Sequence, residues 1–367
     1  MNIYKIKDIV SFQNGFAFNS KDMGPTGTNI IKIKEVKNNK ITITESTQKI
    51  SNYDYDSMKK YLVNYNDILI ALTGDPTNKG SEESWVGRTA IYREKECALL
   101  NQRMCKIIPN TKYILPKYLY YYLISYPTLY TLASSAKGSA NQANISHKDV
   151  GELDISLPSI EMQQHIVDII GSLDDKIENN NKIIEKLWQK LQLVHTDFKS
   201  KNELVEKNIL ELADIKYGKG IPTSEILKDG LYSVYGSNGI IGYLNNYTFK
   251  EHKIAISCRG NSSGIIHLTD ENSTVTSNSL VLDFKNFDYT YYFFLEFMYK
   301  GLYEYKTGSA QPQITIDNLK ILNLQVPKNI NDYIKNINDS VEYTFCLKKE
   351  NQKLLLLKQF YLKKFFG

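Results

Sequence analysis

Apolar residues recur every three and four positions across residues 159–198, which predicts a long amphipathic helix. They form two interleaved heptad rows, as at the a and d positions of a coiled coil. The predicted seam consists of Ile166, Ile170, Leu173, Ile177, Asn180, Ile184, Leu187, Leu191 and Val194. Asn180 is the polar member of this seam, and a buried asparagine typically fixes the register of a coiled coil. Ser159 follows a proline and Glu161 lies in the first turn, so the helix is expected to begin here.

The preceding residues, 1–158, show a different pattern of short apolar runs broken by turn residues. Such runs are typical of β-strands, and we predict strands at 30–33, 41–44 and 68–72. The tyrosine-rich segment 116–134 begins with a proline and predicts a helix. The fold class predicted for this part of the chain is therefore mixed α/β (α+β).

The whole pattern then occurs a second time. The polar loop at residues 137–145 reappears at 306–314, and in both copies an alternating apolar segment, a proline and a charged helical segment follow. A unit of this length is too long for a solenoid repeat, so the chain is predicted to contain one domain-plus-helix module twice. The expected segments are a globular domain at 1–158, a helix at 159–205, a second domain at 206–327 and a C-terminal helix at 328–367.

The C-terminal helix has a less regular apolar seam, which Lys348 and Asn351 interrupt. Two long amphipathic helices in one chain most simply pack on each other, which hides both apolar stripes from water. If they run antiparallel, the two domains lie at opposite ends of a rod about 50 Å long.

Composition and charge narrow the class of protein. The 367 residues allow two or three domains, and 23% charged with 42% hydrophobic residues is ordinary for a soluble globular chain. The net charge of +5 is compatible with nucleic-acid binding but smaller than its usual footprint. The N-terminus lacks the apolar core of a signal peptide, no run reaches about 18 apolar residues, and the four cysteines have no CxxC spacing. We expect a cytoplasmic protein with no membrane partner.

The sequence also lacks the motifs of several enzyme classes. It has no P-loop, no dinucleotide-binding GxGxxG and no amino-methyltransferase motif, and its five histidines form no ligand pair at helical or finger spacing. His165 and His195 are expected on solvated faces of the coiled coil. We therefore predict no catalytic residues, no metal site and no cofactor bound by this chain itself.

The polar loops of both copies concentrate side chains suited to nucleic-acid recognition, because amides pair with adenine and guanidinium groups with guanine. The candidates in the first copy are Asn78, Lys79, Arg88, Asn101, Gln102, Arg103, Ser139, Asn141 and Gln142. Those in the second copy are Ser237, Asn238, Arg259, Asn261, Ser277, Asn278, Ser309, Gln311 and Gln313. Lys137 and Lys306 precede the two Gly-Ser-Ala loops and are suited to contact phosphate. Any single member is more simply a solvated loop residue, and the recurrence of the loop types in both copies favours the set.

Together these features resemble the specificity subunit of type I restriction-modification systems, over essentially the whole chain. The resemblance is carried by the loop at 138–145, the strand ending at Pro158, and segments 161–166, 173–180, 308–310, 326–327, 337–342 and 362–366. The second copy departs from the family pattern at 329–334, where Asn329-Ile330-Asn331-Asp332-Tyr333-Ile334 replaces the Glu-x-Gln-x-x-Ile element.

The resemblance implies two target recognition domains joined by two long helices that form an antiparallel coiled coil. Each domain would read one half of a bipartite site in double-stranded DNA, and the helices would set the number of unread bases between the halves. The chain would be non-catalytic. It would recruit two modification (methyltransferase) subunits that bind S-adenosylmethionine and, through them, restriction (motor-nuclease) subunits that use ATP and Mg²⁺.

Two other interpretations remain open at this point. The residues alone describe equally well a two-headed scaffold that binds protein or glycan rather than DNA. A DNA-recognition subunit of a type IIB-like system, with cleavage in the partner methyltransferase chain, is the third interpretation.

Overall fold

A computed structural model describes residues 2–51, 53–138, 142–308 and 311–367. The chain forms two compact units. The first unit comprises Met1–Glu178 together with Gln352–Gly367, and the second comprises Asn179–Asn351.

The first unit is a mixed α/β domain with many short strands. Its strands are β1 (Asn2–Lys5), β2 (Val10–Asn14), β3 (Met23–Gly24), β4 (Thr28–Ile31), β5 (Val36–Lys37), β6 (Lys40–Ile41), β7 (Lys49–Ile50), β8 (Leu62–Val63), β9 (Ile68–Ala71), β10 (Thr73–Gly74), β11 (Thr89–Ile91), β12 (Ala98–Leu100), β13 (Met104–Pro109), β14 (Ala143–Asn144) and β15 (Asp154–Leu157). Its short helices are α1 (Ile6–Ile9), α2 (Tyr55–Met58), α3 (Pro116–Ile124), α4 (Tyr126–Ser135) and α5 (His147–Gly151). Turns of 3₁₀ helix occupy Ser20–Asp22, Ile33–Glu35 and Lys59–Tyr61.

Strand β9 is the central strand of this unit. It lies between β13 and β11 in a sheet of order β2-β13-β9-β11-β6-β5, and a second sheet has the order β3-β7-β4-β12-β8. Successive side chains of a strand point to opposite faces. Ile68 and Ile70 accordingly enter the core that contains helix α3, whereas Leu69 and Ala71 enter a separate core on the other face. Both faces of β9 are buried, so its continuous apolar run carries no alternation.

The predicted helix at 116–134 is two helices, because the chain breaks at Ser125, whose ψ is 144°. Pro127 has no amide hydrogen to donate to Leu123, and its ring would clash with the Leu123 carbonyl in a continuous helix. The hydroxyl of Ser125 donates to the carbonyl oxygen of Tyr122 at 2.7 Å and so satisfies an acceptor at the break.

The second unit has fewer strands. They are β16 (Leu204–Asn208), β17 (Ala213–Tyr217), β18 (Tyr232–Gly236), β19 (Gly239–Leu244), β20 (Ile254–Ser257), β21 (Ile266–Leu268), β22 (Thr274–Val275), β23 (Ser279–Phe284) and β24 (Asn323–Pro327). Its short helices are α7 (Ile209–Leu212), α8 (Asp288–Lys300) and α9 (Ile316–Lys320), with 3₁₀ turns at Thr223–Glu225, Gly260–Ser262 and Tyr303–Tyr305.

The duplication in the sequence is a duplication of topology. The strand order β2-β13-β9-β11 of the first unit recurs as β17-β23-β20-β21 in the second. The antiparallel pair β1–β15 likewise recurs as β16–β24. A capping box begins the helix before β15 at Ser146 and the helix before β24 at Thr315. The first unit is larger in its second sheet, which has the five strands β3-β7-β4-β12-β8, whereas the second sheet of the second unit has the three strands β19-β18-β22.

Two long helices complete the chain, α6 (Ile160–Lys201) and α10 (Asn331–Phe366). Helix α6 begins where the sequence predicts, since the amide of Met162 donates to Oγ of Ser159 at 3.4 Å. Within the second unit the helices run antiparallel, because α6 contacts α10 through Asn180 and Asn351 and, further along, through His195 and Tyr333.

The predicted seam of α6 faces the protein. Its buried members are Ile166, Ile170, Ile177, Asn180 and Leu191, and its half-buried members are Leu173, Ile184, Leu187 and Val194. Among the described residues no helix is long and apolar enough to cross a membrane.

The expectation for the two histidines of α6 was half right. His165 is exposed, whereas His195 is only 5% exposed. The ring of His195 lies between Glu296 and the hydroxyl of Tyr333, with one ring nitrogen 2.9 Å from each. An ionised carboxylate only accepts hydrogen bonds, so Nε2 donates to Glu296, while Nδ1 is hydrogen-bonded to the hydroxyl of Tyr333. A buried histidine satisfied on both nitrogens is compatible with the coiled-coil core.

Candidate nucleic-acid interface

The turn between β22 and β23 carries Ser277 and Asn278 and is held by the backbone that follows β17. The amide of Gly218 donates to the carbonyl oxygen of Ser279 at 3.0 Å, and that of Lys219 donates to Val275 at 2.8 Å. The amide of Ser277 returns a hydrogen bond to the carbonyl oxygen of Lys219 at 3.0 Å. Three backbone hydrogen bonds therefore fix this turn.

The first unit repeats this arrangement bond for bond at the turn between β12 and β13, which carries Gln102 and Arg103. The amide of Gly15 donates to the carbonyl oxygen of Met104 at 3.0 Å, and that of Phe16 donates to Leu100 at 2.8 Å. The amide of Gln102 donates to the carbonyl oxygen of Phe16 at 2.9 Å. We call each arrangement a glycine clamp, formed by Gly15 in the first unit and Gly218 in the second.

Each clamp requires glycine because the two backbones touch. A Cβ added to Gly15 would overlap the carbonyl oxygen of Asn101, and one added to Gly218 would overlap that of Thr276. Both obstacles are backbone atoms, which have no rotamer to escape into. The glycines therefore set how far each polar turn stands out from its sheet.

In the second unit the clamped turn gathers most of the predicted DNA-binding residues. Oγ of Ser237 donates to the carbonyl oxygen of Asn278 at 3.3 Å, and Asn238 accepts from the hydroxyl of Ser262 at 2.6 Å. Arg259 forms an antiparallel bridge with Gln313. Asn238, Arg259, Asn261, Asn278, Gln311 and Gln313 are exposed, while Ser237, Ser277 and Lys306 are half-buried.

The side chain of Lys306 lies beside the same group of polar residues. Its Nζ lies 4.5 Å from the ring centroid of Tyr303, and its Cε lies beside Gly264 in the loop after Ser262. The ammonium group therefore lies beside this aromatic ring at the edge of the polar surface, and its contact with phosphate stays a prediction.

In the first unit the clamped turn is joined to the short ladder of β10 and β14. The amide of Leu72 donates to the carbonyl oxygen of Arg103 at 2.9 Å, and the backbone of Lys137 pairs with Asn144 in the same ladder. Gln142 precedes that strand, and Gln102, Arg103, Lys137 and Gln142 are all exposed. The structure thus brings these four residues to one edge of the sheet.

Asn78 and Lys79 lie in the loop that leaves this ladder at Gly74, and both are exposed. Trp85 anchors the loop, since its Nε1 donates to the carbonyl oxygen of Lys79 at 3.1 Å. Its ring lies against Tyr126 and Tyr130, whose rings stack on each other with centroids 5.8 Å apart.

Arg88 and Asn101 are used differently from the other candidates. The guanidinium of Arg88 donates to the carbonyl oxygens of Glu83 at 2.6 Å and Val36 at 3.2 Å, and burial lowers its pKa. The side chain of Asn101 is buried and its Oδ1 accepts from the amide of Arg103 at 3.3 Å. Both side chains hold loops in place, so contact with a base stays a prediction without support from this geometry. Ser139, Asn141 and Ser309 lie outside the described residues.

Hydrogen bonds of tyrosine attach each domain to a long helix. In the first unit the hydroxyl of Tyr121 donates to Asp174 at 2.9 Å, and Lys358 donates to the other oxygen of Asp174 at 2.6 Å. In the second unit the hydroxyl of Tyr291 donates to Glu342 at 2.9 Å. Burial raises the pKa of both tyrosines, so each remains a donor. The attachment limits rotation of each domain about its helix.

A half-buried carboxylate strengthens this attachment in the second unit. Glu296 of α8 accepts from His195 at 2.9 Å and Lys199 at 2.6 Å on α6, and pairs with Lys300 at 2.8 Å. Burial by itself would raise the pKa of Glu296, but the hydrogen bonds from these three residues outweigh it and hold the pKa well below its usual range.

The sequence interpretation missed Lys219, which occupies the clamp position held by Phe16 in the first unit. An alignment of the two copies at Gly15 and Gly218 is the signal that finds it. The described residues contain no group of three or more His, Cys, Asp or Glu side chains arranged to hold a metal ion.

The chain contains two similar domains, each with a sheet, a glycine-clamped polar turn and an attachment to a long helix. These features define a class of two-domain chains with two similar candidate binding edges. The family model of the type I restriction modification DNA specificity domain matches residues 1–189 and again 201–356. The chain therefore belongs to the type I restriction-modification DNA specificity family. This membership favours DNA recognition in a type I system over the two alternative interpretations.

Two curated relatives agree with this assignment. The chain is 37% identical over 94 residues to the specificity subunit of the type I restriction enzyme HindI from Haemophilus influenzae. The aligned residues make up 25% of this chain and 20% of that protein. It is 30% identical over 191 residues to the specificity subunit of the type I restriction enzyme MjaVIII from Methanocaldococcus jannaschii. That alignment covers 47% of this chain and 41% of that protein. The chain thus spans less than half the length of these relatives.

The fold is shared with a solved structure. The S subunit of a type I restriction-modification system from M. genitalium matches with a TM-score of 0.62 at 17% identity, over 100% of this chain and 96% of that one. This likeness covers both copies of the domain-plus-helix module.

Proposed function

We propose that this chain is the sequence-specific DNA-binding specificity subunit of a type I restriction-modification complex, and that each domain reads one half of a bipartite DNA site. The observation that carries the proposal is the glycine clamp, because the same three backbone hydrogen bonds present a polar turn in both units. We call each clamped polar turn and the exposed residues beside it a reading edge, centred on Gln102 and Arg103 in the first unit and on Ser277 and Asn278 in the second. Two similar reading edges are suited to two half-sites.

The chemistry of each edge fits duplex DNA. Exposed amides such as Asn278 and Gln102 match the donor and acceptor pattern of adenine, and exposed guanidinium groups such as Arg103 and Arg259 match that of guanine. Lys137 and Lys306 supply positive charge beside the reading edges, which positions the protein on the backbone without specifying sequence.

The four segments of the chain take separate roles in this proposal. Residues 1–158 and 206–327 are the target recognition domains, and residues 159–205 and 328–367 are spacer helices that set the number of unread bases. The tyrosine attachments at Asp174 and Glu342 support this division, because a fixed spacer requires domains that do not turn freely on their helices.

The helices also offer a surface for partner subunits. The described part of α10 exposes Leu355, Leu356, Leu357 and Phe360, each between 41% and 59%. Phe360 lies three and four residues from Leu357 and Leu356 and therefore shares a helix face with them, and exposed apolar patches are typical of protein interfaces. We assign it to the two modification subunits, which would bind S-adenosylmethionine and methylate adenine, while restriction subunits joined through them would use ATP and Mg²⁺. This chain would supply recognition and no catalytic group.

The test is to co-express the chain with a type I modification subunit, in a host without other adenine methylation, and to map N6-methyladenine by long-read sequencing. We expect a bipartite motif of two short half-sites around a fixed gap, which disappears when this chain is omitted. Methylation that persists without the chain, or a stable complex that neither methylates nor binds duplex DNA preferentially, would overturn the proposal.

A domain exchange makes the same experiment sharper. Replacing residues 206–327 with the corresponding domain of another specificity subunit should change one half-site and leave the other half-site and the gap as they were. A change in both half-sites would contradict the assignment of one domain to one half.

A further inference from the structure

A groove of about 560 Å³ crosses the second unit beside its glycine clamp. The residues that line it include Lys216, Tyr217, Lys219, Lys250, Lys253 and Asp283. Four of its nine lining residues are lysines and two are carboxylates, although the chain as a whole carries a net charge of only +5. None of these lysines is among the candidates that the sequence indicated.

The lysines divide into two that are neutralised and two that are not. Asp283 pairs with Lys216 at 2.8 Å and with Lys253 at 2.7 Å, and Lys253 also pairs with Glu251 at 3.3 Å. Lys219 and Lys250 are exposed, and neither has an ion-pair partner among the residues that the structure describes. The four lysines and two carboxylates of the groove therefore leave two surplus positive charges.

Contacts within the second unit hold the walls of the groove in place. Lys253 is buried, and Nζ of Lys216 lies 5.2 Å from the ring centroid of Phe249, which is buried too. The carbonyl oxygen of Lys250 accepts from the amide of Asn272 at 2.9 Å, which fixes the backbone that carries its side chain.

Lys219 joins the groove to the reading edge. Its backbone makes two of the three hydrogen bonds of the clamp, to Val275 and from Ser277. The backbone position from which its side chain extends is therefore fixed relative to the turn of Ser277 and Asn278.

The first unit has no such lysine at the equivalent position. Phe16 stands there and packs on Phe18 and Tyr61, with ring centroids 5.1 Å and 5.2 Å away. The residue at this backbone position thus belongs to an aromatic cluster in the first unit and lines a basic groove in the second.

We infer that this groove is a phosphate-binding subsite that holds the DNA backbone next to the half-site read by the second unit, with Lys219 and Lys250 as the contacting groups. The inference rests on the proposed function. A backbone phosphate carries one negative charge and accepts hydrogen bonds from a lysine ammonium, which acts as a point charge. Such a contact sets the register of the reading turn on the duplex and reads no base.

The test is the salt dependence of binding, measured on the complex of the full chain with its modification subunits and on duplexes that contain the mapped motif. Lys219→Ala, Lys250→Ala and the double variant are compared with the original chain over a series of salt concentrations. Lys219→Arg and Lys250→Arg retain the charge, and Lys207→Ala removes an exposed lysine outside the groove of the same unit.

We expect each Lys→Ala change to reduce the slope of log Kd against log salt by about 0.9, and the double variant by about twice that. The loss of affinity should be equal for the cognate duplex and for duplexes altered in either half-site, since a phosphate contact carries no sequence information. The two arginine variants and Lys207→Ala should retain the original slope.

Two results would overturn the inference while leaving the proposed function intact. One is an unchanged slope in the double variant. The other is a loss of affinity confined to duplexes with a particular base at one position. If the original complex shows no preference for the mapped motif at any salt concentration, the proposed function itself fails and the inference fails with it.

Discussion

Nδ2 of Asn180 on α6 donates to Oδ1 of Asn351 on α10 at 2.9 Å, and Nδ2 of Asn351 donates to Asn181 at 3.0 Å. Asn180 is 1% and Asn351 8% exposed. In the sequence Asn351 interrupts the seam of the C-terminal helix, yet it is the partner of the polar residue in the other seam. A slip of one helix along the other would set each amide against apolar side chains, so this pair favours one register.

Replacing one member of this pair should destabilise the second unit more than replacing both. Asn351→Leu leaves the amide of Asn180 buried with a partner removed, which costs about 1–3 kcal/mol. The double variant Asn180→Leu/Asn351→Leu fills the seam with apolar side chains, and it should unfold at the same or a higher urea concentration than the original chain. A double-mutant cycle on the unfolding midpoint measures the coupling. Equal, additive losses from the two single changes would show that the amides do not act as a pair.

The glycine clamps make a prediction that separates the two half-sites. Gly15→Ala forces the turn of Asn101 away from its sheet, and Gly218→Ala does the same at Thr276. We expect Gly15→Ala to weaken or change methylation at one half-site and Gly218→Ala at the other, as measured by mapping N6-methyladenine.

The chain offers matched controls for this experiment. A Cβ at Gly24 or Gly220 meets no atom within 4 Å, so alanine at these positions should leave both half-sites unchanged. If Gly218→Ala folds with the same melting temperature and modifies both half-sites as before, the clamp has no part in recognition.

Acid should weaken the attachment of the second domain through Glu296. Its pKa is held low in the folded chain, so its contribution to stability is complete above the pKa of an unfolded glutamate, about 4.3, and is lost as the pH falls further. Glu296→Gln should therefore be less stable than the original chain at pH 7, by on the order of 2 kcal/mol. The difference should shrink as the pH falls below about 5. Urea unfolding of both proteins between pH 7 and 3 measures this, and Glu225→Gln, at an exposed position, should show no such convergence.

The spacer role of the helices predicts a defined response to a change of length. One heptad added after Glu178 in α6 and one after Asn351 in α10 would lengthen an antiparallel pair by about 10 Å, which corresponds to about three base pairs. The gap in the methylated motif should grow accordingly, while both half-site sequences stay the same. Altered half-site sequences with an unchanged gap would rule out the spacer model.

Much of the architecture follows from local pattern. The heptad rows of α6 locate the face that packs, since Ile170 and Leu191 are buried as predicted. The capping signal at Ser159 locates the start of the helix. Local sequence carries this information because helix periodicity and capping depend on residues within one or two turns of each other.

Other features depend on contacts between distant segments. The break at Ser125 was missed because tyrosine and leucine continue on both sides of Pro127. The burial of His195 depends on Glu296 and Tyr333, which are more than 100 residues away in sequence. The role of Arg88 likewise depends on the carbonyl oxygen of Val36, and a carbonyl group has no signature in sequence.

The sequence by itself determined that a domain-plus-helix module occurs twice and that the helices carry a seam, because repeated motifs and apolar periods are properties of the chain. The tertiary structure alone decided which polar residues lie together and that Gly15 and Gly218 clamp equivalent turns. It also decided that Lys219 lines a basic groove, whereas Phe16 at the equivalent position packs in an aromatic cluster. These relationships arise from strands that pair across dozens of residues, and their register is set by packing rather than by neighbours in the chain.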